Sequence, residues 1–127
     1  AYLDAPDYAI AIDVCHARTG DNKPEDRVFD LGGGPVIGFG SNSMPKFARR
    51  LCEVARAKEI PYQLEAVPAH SGTNAWSIQP IEGGVCTAVL SLPLRYMHSP
   101  VEVLKLKDMK HVGHLLAEFT LGFDGNL

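Results

Sequence analysis

Two residues in this chain combine the donor types and the positions that metal chemistry needs. Asp13 stands at the end of the apolar run "YAIAIDV" (8–14), and His98 follows the apolar run "VCTAVLSLPLR" within "YMHSP" (96–100), just before a Ser-Pro turn. A carboxylate and an imidazole are hard and borderline donors suited to zinc, cobalt or manganese, and the carboxylate favours hydrolytic over thiolate-type chemistry. Two ligands do not complete a site. A catalytic zinc takes about three protein ligands and a water, and a two-metal centre also needs a group that bridges the ions. On residue type alone, an Asp capping a loop and a hydrogen-bonded His near the core stay open as alternatives.

The remaining histidines carry different signals. His70 lies in "AHSGTN" (69–74), where a glycine lets backbone amides approach a ligand, so it either faces a ligand or ties down the loop. His111 and His114 are three apart on an expected helix; with no third ligand nearby they read as helix-surface residues. Cys15 and His16 are neighbours, and on extended chain neighbours point to opposite faces, which disfavours a Cys-His nucleophile pair. The glycines of "LGGGP" (31–35) have neither a following Lys-Ser/Thr nor a helix directly after them, which argues against a phosphate cradle.

Rigid elements must hold these groups. "YAIAIDV" and "GVCTAVLSLP" (84–93) are almost continuously apolar, as strands covered on both faces are. "PVIGFG" (35–40) and "YQLEAV" (62–67) read as shorter strands, and "EVLKLKD" (102–108) alternates as a more exposed strand would. In "SNSMPKFARRLCEVARAKEI" (41–60), Phe47, Leu51, Val54 and Ala55 recur at helical spacing, Ser43 is the expected cap, Pro45 sits in the first turn and Pro61 marks the end. Asp108 is the expected cap of "MKHVGHLLAEFTLGF" (109–123), with Val112, Leu115, Leu116 and Phe119 facing the core. The resulting order, β-β-α-β-β-β-α, predicts an α/β fold, a layered sheet with helices packed on it. The long polar segment from Cys15 to Gly34 exceeds any hairpin turn and is a candidate functional loop.

Composition narrows the class. With 46% hydrophobic and 21% charged residues, the 127-residue chain reads as one globular domain. A net charge of −3 lacks the clustered basic excess that nucleic acid binding requires, so "KFARR" is read as the solvated face of a helix. No stretch reaches the roughly 20 apolar residues of a membrane span, and "AYLDAPDY" shows neither a basic leader nor an apolar signal core. Three unpaired-looking cysteines (Cys15, Cys52 and Cys86) suggest no disulfide framework and fit a reducing, cytoplasmic setting.

In order along the chain, "IDVCHA", "LGGGPVI", "IPYQ", "HSGTNAWSIQ", "GGVCTAVLSLPLRYMHSPVE" and the closing helix resemble the tetrahedral, dinuclear-metal aminopeptidase family, which includes glutamyl and deblocking aminopeptidases and some relatives named endoglucanases. "RYMHSP" and "HSGTNAWSIQ" are the most specific segments, and the resemblance covers almost the whole chain. It implies a zinc-peptidase-like catalytic domain with two divalent ions, zinc or cobalt foremost and manganese as a further choice. In that site Asp13 and His98 each bind a different ion, and the loop bearing His70, Gly72, Thr73 and Asn74 faces substrate. The family's first His, its bridging Asp and its Glu-Glu pair of general base and ligand all lie upstream of the "DV" strand, and no Glu-Glu pair occurs in these 127 residues. Residues 1–127 are therefore expected to be the C-terminal portion of one catalytic domain, without its N-terminal half and inserted β domain. Two departures stand out: Asn74 replaces the usual acid, keeping an acceptor but losing charge, and Cys15 replaces the usual Thr.

The expected function is that of an aminopeptidase acting on peptides through a water activated by two metals, with this chain inactive by itself. The expected partners are the missing N-terminal half and further copies in a homo-oligomer. The alternative is a non-catalytic binding or assembly module that retains the fold. Glycoside hydrolysis would need two carboxylates flanking a sugar site, and no such pair is evident.

Overall fold

A computed structural model describes residues 6–68 and 72–127. Four strands, β1 (Tyr8–His16), β2 (Val36–Gly40), β3 (Gln63–Val67) and β4 (Cys86–Leu94), form one mixed sheet in the order β1-β4-β2-β3. β1 runs parallel to β4 with Asp13 opposite Ser91, β2 runs parallel to β3, and β2 meets β4 antiparallel. The helices are α1 (Pro45–Ala57), α2 (Ala75–Ile78) and α3 (Leu106–Leu121). The α/β layered sheet expected from the sequence is the architecture observed.

The core lies between the sheet and the pair α1 and α3. Ile37, Ala88 and Leu90 of the sheet pack against Phe47, Leu51 and Ala55 of α1 and Val112, Leu115 and Phe119 of α3. Phe47 stacks on Phe119 at 5.3 Å between ring centroids, and Tyr8 meets Phe47 edge-on at 6.0 Å, so aromatic contacts join β1, α1 and α3. A second, small cluster of Ala11, Ala75 and Val89 places α2 near β1 and β4, away from that core.

β4 is a central strand buried along most of its length. β1 has the same apolar composition, yet among the described residues it is an edge strand with one neighbour, and Ile12 is 52% exposed. A strand composed for cover on both faces therefore carries more apolar surface than the described residues cover.

Helix boundaries depart from the sequence expectation at three places. α1 keeps Pro45 at its first turn, but its N-cap is Met44, without a side-chain cap bond. Ser43 lies one residue too early, folded into a turn by its N–H bond to the Gly40 carbonyl, and its buried hydroxyl has no partner among the described residues. Before Pro61, α1 closes with Glu59 at φ 53°, Ile60 N–H donating to the Ala55 carbonyl and Glu59 N–H to that of Arg56, which is a Schellman closure that buries Ile60.

The other two departures share one cause. The strand expected at 102–108 reduces to a single bridge between Arg95 and Val103, and α3 begins at Leu106 with Lys105 as its N-cap. Asp108, expected as that cap, sits inside the first turn, fully buried, where Oδ2 accepts from Gly32 N–H at 2.7 Å and Oδ1 from Gly34 N–H at 3.0 Å. Those two bonds, made to a buried acid, outweigh anything an exposed edge strand would gain. Glycine is required at the receiving end: Gly34 has φ +86°, and a Cβ there would lie 2.0 Å from the Pro61 carbonyl oxygen. "LGGGP" thus cradles an anion, but the anion is the protein's own.

Replacing Asp108 leaves two donors without partners. Asp108→Ala is expected to lower the unfolding free energy by roughly 2–4 kcal/mol, measured by urea denaturation. A midpoint matching the parent protein would show that the bonds contribute nothing.

Candidate functional site

β1 extends three residues past Asp13, to His16, so the acid projects from within the strand and not from its end. Side chains alternate along a strand, which puts Asp13 on the same face as Ala11, the face bearing α2. Asp13 is half-buried, and its Oδ1 accepts from the Val14 N–H at 2.8 Å.

His98 lies four residues beyond the end of β4 in a loop closed by the Arg95–Val103 bridge, whose two backbone bonds measure 2.9 and 3.1 Å. Tyr96 and His98 both adopt left-handed backbone conformations, with φ 61° and 64°. The His98 N–H donates to Glu102 Oε1 at 2.9 Å. His98 itself is exposed.

Asp13 and His98 line one cavity of about 310 Å³, within the size range of small-ligand sites. Gly72 and Thr73 line it too. Asn74 does not: it heads the short α2, where its carbonyl accepts from Ser77 N–H and Ile78 N–H, both at 3.1 Å. His70 lies outside the described residues.

Two further wall residues, Arg27 and Glu65, escaped the sequence reading. Glu65 had a signal, since it is the lone charge within the strand "QLEAV". Arg27 sits in the long polar loop, and nothing in its own sequence context marks it. That loop is held to the sheet by Phe29 N–H to His16 O at 2.9 Å, by Arg18 N–H to Phe29 O at 2.8 Å and by an Arg18–Asp30 ion pair.

Burial sets the electrostatics of this face. It pushes the Glu65 carboxyl above its ordinary range, against the opposing pull of Arg27 and His16. It pushes the Cys15 thiol far up as well, assisted by the negative charges of Glu65 and Asp13. A thiol held protonated is no nucleophile, in keeping with the argument against a Cys15–His16 pair. His111 is half-buried rather than a surface residue, whereas His114 is exposed and lies 3.5 Å from Glu118, which also pairs with Lys58 at 2.7 Å.

Among the described residues, no three or more His, Cys, Asp and Glu side chains gather closely enough to hold a metal ion. The donor types present fit part of a two-ion centre: one carboxylate oxygen and one imidazole nitrogen donor, carried on different elements and lining one cavity. No helix among the described residues is long and apolar enough to cross a membrane.

The family model of the M42 glutamyl aminopeptidases matches residues 2–115, and the chain belongs to that family. It is 44% identical to the lysyl aminopeptidase of Pyrococcus furiosus over 104 residues, covering 82% of this chain and 30% of that protein. Among solved structures it superposes on an aminopeptidase of the archaeon Desulfurococcus kamchatkensis with a TM-score of 0.84 at 36% identity, covering 93% of this chain and 35% of the other. It also superposes on the TET1 peptidase of Pyrococcus horikoshii, with a TM-score of 0.61 at 29% identity over 94% of this chain and 34% of the other. That peptidase can assemble into a tetrahedron or a large octahedral shell. The chain thus spans about a third of the length of these relatives.

The raised Glu65 pKa has a stability consequence. Where both folded and unfolded states are protonated the burial costs nothing, and the cost grows as the pH rises through the folded pKa and both states ionise. Glu65→Gln is therefore expected to stabilise the protein at pH 7, with the advantage disappearing below the ordinary carboxylate range. Denaturant unfolding at pH 7 and pH 4 measures it, and an advantage at pH 4 alone would reverse the sign.

Proposed function

We propose that the intact protein is a metal-dependent aminopeptidase, that this chain forms the C-terminal portion of its catalytic domain, and that Asp13 and His98 each hold one of two divalent ions. The observation that carries this reading is the convergence of Asp13 and His98, distant in sequence, on one cavity shared with Gly72 and Thr73. Family membership supports the reaction class. When bound, such an ion pair polarises a scissile carbonyl and makes a water acidic enough to serve as nucleophile.

The chain's own residues hold and shape. β1 fixes Asp13 through its pairing with β4, and the strained loop after β4 presents His98. Arg27 and Glu65 give the wall a basic and an acidic side chain where peptide substrate would lie, with Gly72 and Thr73 beside them on the same cavity. The general base and the remaining ligands come from an N-terminal half preceding β1. Among the described residues β1 has a second edge without a paired strand, and that edge together with the exposure of Ile12 supports such a neighbour, because an unpaired edge with apolar surface is a pairing site.

Zinc or cobalt, with manganese also suitable, matches the oxygen and nitrogen donors. The cysteines Cys15, Cys52 and Cys86 are free thiols, which suits a cytoplasmic setting. Homo-oligomerisation is part of the same reading, supported by the assembly of the TET1 peptidase. The second reading, a non-catalytic module retaining the fold, is favoured by one observation: no complete ligand group exists among the described residues.

Assays of the full-length gene product on lysyl, leucyl and glutamyl anilides with zinc or cobalt separate the two. Turnover is expected, falling roughly a hundredfold or more in Asp13→Ala and His98→Ala. Absence of turnover in the full-length protein would favour the module, and robust turnover by residues 1–127 alone would overturn the reading of the chain as part of a site.

A further inference from the structure

The loop that carries His98 holds two non-glycine residues, Tyr96 and His98, in the left-handed region, which L side chains rarely adopt unless their surroundings enforce it. Enforcement comes from four local contacts. The Arg95–Val103 bridge closes the loop, Ser99 N–H donates to the Tyr96 carbonyl at 3.1 Å, and Ser99 Oγ donates to the Val101 carbonyl at 2.8 Å. The fourth is the bond from His98 N–H to Glu102 Oε1 at 2.9 Å, the one in which a side chain grips His98 itself. Pro100 adds stiffness by keeping Ser99 out of the helical region.

A side chain is aimed by its own backbone, so whatever fixes φ at His98 fixes where the imidazole points. The bond from His98 N–H to Glu102 Oε1 is the side-chain contact that acts directly on that backbone. Release of that bond lets His98 relax toward the ordinary negative-φ region, which swings Cβ and the ring away from the cavity it lines. Asp13 needs no such device, since its strand is held by β4 along the ladder.

We propose that Glu102 is a positioning residue for His98: its carboxylate oxygen accepts the His98 N–H and holds the imidazole in the orientation that binds a divalent ion. This rests on the reading of His98 as a metal ligand. Glu102 lies in the reach of the loop and not in the ligand set, and it contributes an acceptor at a stated place and not simply a nearby negative charge.

Two conservative variants separate acceptor from charge. Glu102→Gln keeps the reach and an acceptor oxygen while losing the charge; Glu102→Asp keeps the charge but falls one methylene short of the N–H. The metal-free full-length protein is titrated with cobalt(II), and the visible absorption of the bound ion reports affinity and coordination geometry without any activity. Glu102→Asp is expected to weaken one of two binding steps by about tenfold and to alter its absorption band, with Glu102→Gln close to the parent protein. Parent-like affinity in Glu102→Asp, or equal weakening in both variants, would overturn the positioning role. His98→Ala separates the two failures: it should abolish one step, and if both steps persist the metal-ligand reading of His98 fails and the positioning role falls with it, whereas loss of a step in His98→Ala together with parent-like Glu102→Asp overturns the positioning role alone.

Discussion

One buried carboxylate, that of Asp108, joins the elements on which two parts of the cavity wall are carried. Asp108 takes its hydrogen bonds from Gly32 and Gly34, more than 70 residues away in sequence, and sits in the first turn of α3, where the helix dipole also favours negative charge. The glycine segment ends the loop that brings Arg27 and Phe29 to the cavity, and α3 follows directly on the loop that brings His98. The Asp108 bonds therefore tie the glycine end of the first loop to the helix that follows the second. A burial of this kind is tolerated only because both oxygens are satisfied, and it demands glycines that can turn their amides inward.

Against that frame, the two candidate ligands are held by different physics. Asp13 is fixed by cooperative strand pairing and by a short bond from the next amide, so its placement is as rigid as the sheet. His98 is fixed by a loop under backbone strain, stabilised by a few local bonds. A rigid acid and a conditionally held imidazole on one wall make the imidazole the more adjustable of the two. The same face raises the protonation tendency of Glu65 and Cys15 through desolvation, which places an inert thiol beside Asp13.

Much of this was legible in the residues. Apolar runs located the strands, the helical spacing of Phe47, Leu51 and Ala55 located α1, and Asp13 and His98 stood out by donor type beside those runs. Asp108 and Ser43 show where reading fails: each has the residue type of a helix cap, but Asp108 is drawn to Gly32 and Gly34, far away in sequence, and Ser43 is held one residue too early in a turn closed by its N–H bond to the Gly40 carbonyl. Glu65 carried a visible signal as a lone charge in a strand, whereas Arg27 in its polar loop carried none.

The sequence by itself determined the periodicities, hence the strands and helices, and the donor types that make divalent metal chemistry reasonable; those depend on neighbours within a few residues. Tertiary structure decided that β1 lies at an edge, that "LGGGP" embraces Asp108, and that pairing with β4 carries β1 past Asp13. Each of those outcomes balances burial and hydrogen bonding between parts of the chain that no local pattern relates, because the energy of a contact is set by which groups meet in space.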